Sequence, residues 1–308
     1  MEQNKKTLKY KIVYGTLYAV SLLPFSLLYA LSDFAYLFVS RFYRRKVVRS
    51  QLAECFPEMS EAERREVERK FYHQFCDNFV EIVKQLSMSK EEMMQRITFS
   101  GLEDVLPKFS DDNPLLMLYL GHYANWEWIA SMRYWTGRVT TCQVYHPLYN
   151  KEFDQLFIHL REQYGGESIP MKQSVRRLIQ LRREGTYAIC GMIADQLPKW
   201  EAIHHFSPFL NHDSAVFIGT EQVAKKLDTM VYYGSMRKLR RGYYDCHFVR
   251  LTDSSRDYPD YELTDQYMQL LEADIRRAPE LWLWTHKRWR RTKAEWEERQ
   301  RQKETTNS

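Results

Sequence analysis

Residues 115–127 read LLMLYLGHYANWE: six apolar residues, a glycine, then a histidine and, five positions on, a glutamate. The run Leu115–Leu120 has no polar interruption and is too short for a buried helix, so it reads as a strand covered on both faces, as in a parallel sheet. The residues after it suit a helix over 125–135. Further along the chain the alternation recurs. Strands are expected over 138–145, 168–170 and 187–193, separated by helices over 151–164 and 174–183 that stop at Gly165-Gly166 and Gly185. A helix over 214–227 and strands over 229–236 and 243–251 complete the sheet, and helical pieces over 260–277 and 280–290 close the chain. This order of elements predicts an α/β fold, a mostly parallel sheet flanked by helices.

Upstream, Ser60-Glu61-Ala62-Glu63 is a capping box, and Val67, Phe71, Phe75, Phe79, Val83 and Leu86 recur every three or four residues, as on a long amphipathic helix. Earlier still, residues 12–32 carry no charge, and apolar character runs on to Val39. About twenty such residues suffice to cross a membrane. Pro24 interrupts them, which suits either a kinked span or two short helices lying in the interface, so an N-terminal membrane-anchoring helix is expected. A signal peptide fits less well, because no small-x-small cleavage pattern follows promptly. Lys5, Lys6, Lys9 and Lys11 flank one end and Arg41, Arg44, Arg45, Lys46 and Arg49 the other. That balance leaves orientation unassigned but suits an anionic lipid surface. The chain thus divides into an anchor (1–45), a helical region (46–110), an α/β core (111–292) and a polar, disordered tail (293–308).

Composition excludes several classes. Aromatics make up 15% of the 308 residues, whereas Gly and Pro number only 11 and 10, which argues against collagen-like, all-β and disordered chains. A mean hydropathy of −0.57 excludes a multi-spanning membrane protein. The five cysteines are odd in number, scattered and without C-x-x-C, so neither a disulfide framework nor a zinc spacing is present and a reducing compartment is expected. The net charge of +5 reads as attraction to anionic lipid, not to nucleic acid.

In open α/β sheets the functional crevice lies beyond the carboxyl ends of the strands. Three strands deliver polar groups there: Gly121-His122, His146, and Ala194-Asp195-Gln196. His122 and Glu127 would stand about 140° apart on one continuous helix. They meet only if His122 sits in the strand-to-helix turn and Glu127 in the first helical turn, with Asn125 as cap. A neutral imidazole held by a carboxylate then offers its second nitrogen as a general base. An ordinary turn histidine beside a helix-start glutamate has the same spacing. His204, His205, His212 and Asp213 match no strong zinc pattern, so no metal is expected. Arg176, Arg177, Arg182 and Arg183 could face an acidic lipid, but as a helical charge run they suit a solvated face.

The string His122-Tyr123-Ala124-Asn125-Trp126-Glu127 resembles the H-x4-D/E block of membrane glycerolipid-type acyltransferases, in the form found in bacterial lipid A late acyltransferases (lauroyl and myristoyl transferases). Arg45 to Arg49 with Phe56-Pro57-Glu58, Val144 to Leu148, Arg161, Ile169 to Lys172, Ala194-Asp195-Gln196 and Pro279 to Trp289 resemble other blocks of that family, over roughly residues 10 to 292. The resemblance implies transfer of a fatty acyl chain from a thioester of acyl carrier protein, or of coenzyme A, to a hydroxyl of a phosphorylated lipid A precursor. It places this reaction at the cytoplasmic face of the bacterial inner membrane and needs no cofactor. On it, His122 is the base and Glu127 orients and charges it, while Asn125, Arg161, Asp195 and Gln196 bind substrate or support the oxyanion. The segment LPKWEAIHHFSPFLNHD after Gln196 departs from the family's glycine-containing stretch. That departure leaves the acceptor open, with the same chemistry on an aminolipid, lysophospholipid or glycolipid as the alternative; a reading from another class is a non-catalytic lipid-binding protein of the membrane surface, held there by its basic ends.

Overall fold

Pro24 breaks the apolar N-terminal segment in two. The computed structural model, which describes residues 7–307, folds it into α1 (Leu8–Ser21) and α2 (Phe25–Phe42), bent by 112°. Pro24 is the N-cap of α2, and its ring and missing N–H are incompatible with extending α1. No single described helix is long and apolar enough to cross a membrane; the bent pair meets that test only together. Lys5 and Lys6 lie outside the described residues.

The pair is tied down by polar bonds that an independent anchor would lack. After α3 (Arg45–Cys55), the capping box opens α4 (Glu61–Lys84), with Ser60 Oγ accepting from the Glu63 amide and the Glu63 carboxylate accepting from the Ser60 amide. From α4, Lys84 donates to the carbonyls of Ser21 and Leu23 at the break, while Tyr29 donates to Glu81 and Ser32 to Asp77. The far side of α2 leaves Leu27, Leu31, Phe34, Phe38 and Phe42 exposed.

Next come α5 (Lys90–Arg96), β1 (Ile97–Thr98), α6 (Leu102–Val105) and β2 (Leu115–Leu120), whose six side chains are all buried. The chain continues through β3 (Thr140–Tyr145), α7 (Lys151–Glu162), β4 (Glu167–Pro170), α8 (Ser174–Arg183) and β5 (Ala188–Ile193). Gly165 and Gly185, both at positive φ, end α7 and α8. Then follow a hairpin of β6 (Phe206–Phe209) and β7 (His212–Ala215), α9 (Gly219–Leu227), β8 (Met230–Arg240), β9 (Tyr243–Thr252), α10 (Glu262–Arg277) and α11 (Lys293–Asn307).

The seven-stranded sheet runs β1-β9-β8-β2-β5-β3-β4, and every neighbouring pair is parallel except β8–β9. The fold is therefore a mixed α/β fold with a mostly parallel sheet flanked by helices.

Four segments differ from the sequence reading. Residues 125–135 give a 3-10 segment, Trp126–Tyr134, instead of an α-helix. The helix expected from residue 214 starts at Gly219, because Leu210 and Asn211, both at positive φ, close the β6–β7 hairpin and draw residues 212–215 into a strand. Over 280–290 only Pro279–Leu281 is helical, as a 3-10 turn, because the backbone beyond it bonds across to the turn after β2. The polar end of the chain is the helix α11, anchored by Trp296 against Phe206. All five cysteines are buried free thiols.

Candidate active site

The β2–β5 register sets Leu120 opposite Ile193, so the two strands leave the sheet side by side and His122 meets Asp195. The His122 amide donates to Asp195 Oδ2 at 2.9 Å, and His122 Nδ1 lies 2.6 Å from Asp195 Oδ1. The turn is tight on both sides. A Cβ at Gly121 would come within 2.7 Å of Leu271 Cδ1, and Ala124 is held at φ +52°. That strained conformation is stabilised by the closing segment, where the Ala124 amide donates to Leu281 O and the Leu283 amide to His122 O.

Asp195 is sealed, at 1% exposure, while the His122 side chain keeps 21%. Burial by itself raises the Asp195 carboxyl. The neighbouring imidazole, together with hydrogen bonds from the His122 ring, the His122 amide and the Trp282 indole (2.8 Å), outweighs it and holds the carboxyl below the ordinary aspartate range. Arg288, wholly buried, is coupled to Asp195 by charge. Burial lowers Arg288 to about 10, so it stays a cation near neutral pH. An ionised Asp195 keeps the ring proton on Nδ1 and leaves the lone pair on Nε2, the nitrogen turned away from the carboxylate. Gln196 Nε2 stands 3.3 Å from that Nε2. Burial lowers His286 to about 4, and its neutral ring accepts the Leu197 amide at 3.2 Å, which pins the loop carrying Gln196.

The carboxylate on His122 is thus Asp195, and the expected pairing with Glu127 is corrected. Both Glu127 oxygens are taken by Arg161, through Nε (2.9 Å) and Nη2 (2.7 Å). The 3-10 geometry after Asn125 and the approach of α7 favour this fork, since a buried guanidinium needs a bidentate partner. Two of the three Arg161 guanidinium nitrogens are thereby held by Glu127. Asn125 caps the 3-10 segment by accepting the Trp128 amide (3.3 Å), and its own amide donates to Glu81 Oε2 at 2.7 Å. It is 1% exposed, with its side chain spent on these two interior bonds. Glu81 also receives the hydroxyls of Tyr29 (3.0 Å) and Tyr244 (2.9 Å), and burial, reinforced by Asp77, pushes it up to about 7.

His146 is exposed at the end of β3. The loop histidines do not converge: His205 pairs with Asp265 at 2.8 Å, His212 stacks on Trp289, and Asp213 meets Lys293. No group of three or more His, Cys, Asp or Glu suited to a metal occurs among the described residues. Arg177 pairs with Glu167 and Glu184, and Arg182 bonds backbone carbonyls, as members of a structural helix face. Trp128, Trp282 and Trp284 are core; Trp126, half-buried, packs its edge against the His122 ring at 5.2 Å.

A histidine with one nitrogen anchored on a sealed carboxylate and the other open can take a proton from a hydroxyl. Among families of known proteins, the model described as bacterial lipid A biosynthesis acyltransferase matches residues 2–291. No curated protein matches the chain.

Proposed function

The chain belongs to the bacterial lipid A biosynthesis acyltransferase family and is an acyltransferase, and from that premise we propose how it works. It moves a fatty acyl chain from an acyl carrier protein thioester to a hydroxyl of a phosphorylated lipid A precursor, at the cytoplasmic face of the inner membrane. The observation that carries the mechanism is the His122–Asp195 pair, with Nδ1 anchored and Nε2 held only by a 3.3 Å contact to Gln196.

The acceptor hydroxyl replaces the long Gln196 contact at His122 Nε2 and gives up its proton there as its oxygen attacks the thioester carbonyl. Asp195 stabilises the imidazolium that forms, and its hydrogen bonds from His122 and Trp282 keep the carboxyl ionised. Gln196 is placed to donate to the oxyanion, an interaction of a kind worth on the order of 3 kcal/mol. Collapse of the tetrahedral intermediate breaks the carbon–sulfur bond, and the departing thiolate recovers the proton from His122. One ester is gained and one thiol released. Glu127 serves as a positioning residue: with Arg161 it fixes the segment that follows the base.

Membrane association is assigned to the bent pair α1–α2, whose outward face is apolar. The assay supplies acyl carrier protein thioester and a lipid A precursor, and compares wild type with His122→Ala. Loss of acyl transfer by a folded variant is expected. Transfer persisting in the variant overturns the mechanism, and an unchanged lipid A mass in a strain lacking the protein overturns the acceptor.

A further inference from the structure

A second charged site stands beside the apolar face of α2. Between α2, α3 and α4 lies a cleft of about 310 Å³, walled by Arg41, Arg45, Arg49, Arg65 and Arg69, with Glu68 as the acid in its lining. Glu68 is 5% exposed and organises the cleft: Arg45 Nε meets one of its oxygens at 2.9 Å and Arg49 Nε the other at 2.8 Å. Each guanidinium is thereby fixed by its Nε edge, and its terminal nitrogens have no hydrogen-bond partner among the described residues. Arg65 and Arg69 are held by Glu61 and Glu66. Five arginines against three carboxylates leave a positive excess.

Two further features point to an anion with an apolar tail. Arg45 opens α3, whose N-terminus has no capping side chain and no acidic residue in its first turn, so the positive end of the helix dipole is uncompensated there. Leu37 lines the cleft and belongs to α2, whose residues Leu31, Phe34, Phe38 and Phe42 form an exposed apolar stripe. Preorganised guanidinium forks suit a phosphate, and the stripe suits acyl chains. Room for roughly ten waters, at about 30 Å³ each, accommodates a phosphate and its substituent.

The geometry points to a binding site for the phosphate headgroup of an anionic membrane lipid in the α2–α3–α4 cleft, one that docks the protein on the bilayer. It deepens the membrane-surface reading given above and rests on it. Acyl carrier protein, also acidic, would not require the apolar stripe.

Full-length protein is sedimented with vesicles of phosphatidylcholine alone and of phosphatidylcholine with phosphatidylglycerol. Removing both arginines would strand the buried Glu68, so the variant is Arg45→Gln/Arg49→Gln/Glu68→Gln. Wild type is expected to bind the anionic vesicles roughly tenfold or more tightly than the neutral ones. The variant is expected to lose that preference yet still sediment with neutral vesicles. A control, Arg250→Gln/Arg256→Gln, removes more net positive charge and is expected to keep it. Retained preference in the triple variant, or equal loss in the control, overturns the site. So does titration showing that the variant has lost inorganic phosphate or acyl carrier protein binding with its lipid preference intact. Wild type that binds neither vesicle overturns the membrane reading as well, and the neutral arm separates that failure from loss of the headgroup site alone.

Discussion

Asp195→Asn is the sharpest perturbation of the proposed reaction. The substitution keeps shape but removes the charge that faces the imidazolium, and it lets the amide donate to Nδ1, which would put the ring proton on the catalytic nitrogen. Asp195 is sealed and accepts from the His122 ring, the His122 amide and Trp282. Charge centres about 4 Å apart at an effective dielectric near 20 attract by roughly 4 kcal/mol. That attraction exists fully only once His122 is protonated, in the transition state, so kcat should fall by about 10³ while KM stays within about threefold. The assay is thiol release from acyl carrier protein thioester with lipid A precursor as acceptor. Because the two residues act as a unit, His122→Ala/Asp195→Asn should be no slower than His122→Ala alone. A single variant within threefold of wild type, or multiplying losses in the double variant, would refute the pairing.

Glu127→Gln leaves the Arg161 guanidinium, 19% exposed, without its counter-charge, and should lower unfolding stability by about 3 kcal/mol in urea; Arg161→Gln added to it should recover much of the loss. Glu81 has its carboxyl raised to about 7, so the folded state binds the proton more tightly than the unfolded chain. Its stabilising contribution is full below the ordinary glutamate range and is lost as pH rises to 7. Relative to Glu81→Gln, wild type should lose about 2–3 kcal/mol between pH 5 and pH 8 in denaturant titrations, and a pH-independent difference would contradict the assignment. Gly121→Ala drives a methyl onto Leu271 and should shift the His122 turn, reducing kcat at least tenfold; Gly121→Ala/Leu271→Ala should regain part of it, and a fully active single variant would show the turn to be slack.

The sheet was legible because its strands are short apolar runs and the helices between them stop at glycines, and both signals are local. Ser60, Ser89 and Asn150 each accept amides of the helix they precede. The β6–β7 hairpin escaped notice because Leu210 occupies a left-handed position that favours Gly or Asn; Asn211 beside it was the available hint. At the site, His122 and Asp195 both read as crevice residues, but which carboxylate meets the imidazole depends on β2 lying beside β5. Spacing along the chain favoured Glu127, five residues away, over a partner 73 residues away. Arg161 was singled out only by resemblance, and its capture of Glu127 comes from the packing of α7. Arg288 and Trp282 stand in a closing block whose inward turn carries no helical or strand period. Their roles became visible only when the backbone of that block was seen to bond to the turn after β2.

That closing block also sets a time. Asp195 leaves the ribosome 73 residues after His122, and Trp282 emerges 87 residues later still. A nascent chain has no finished turn until Leu281, Trp282 and Leu283 have been made and bonded to it. A chain cut before Leu281 would lack the backbone bonds that hold Ala124 and His122 O and the indole that donates to Asp195.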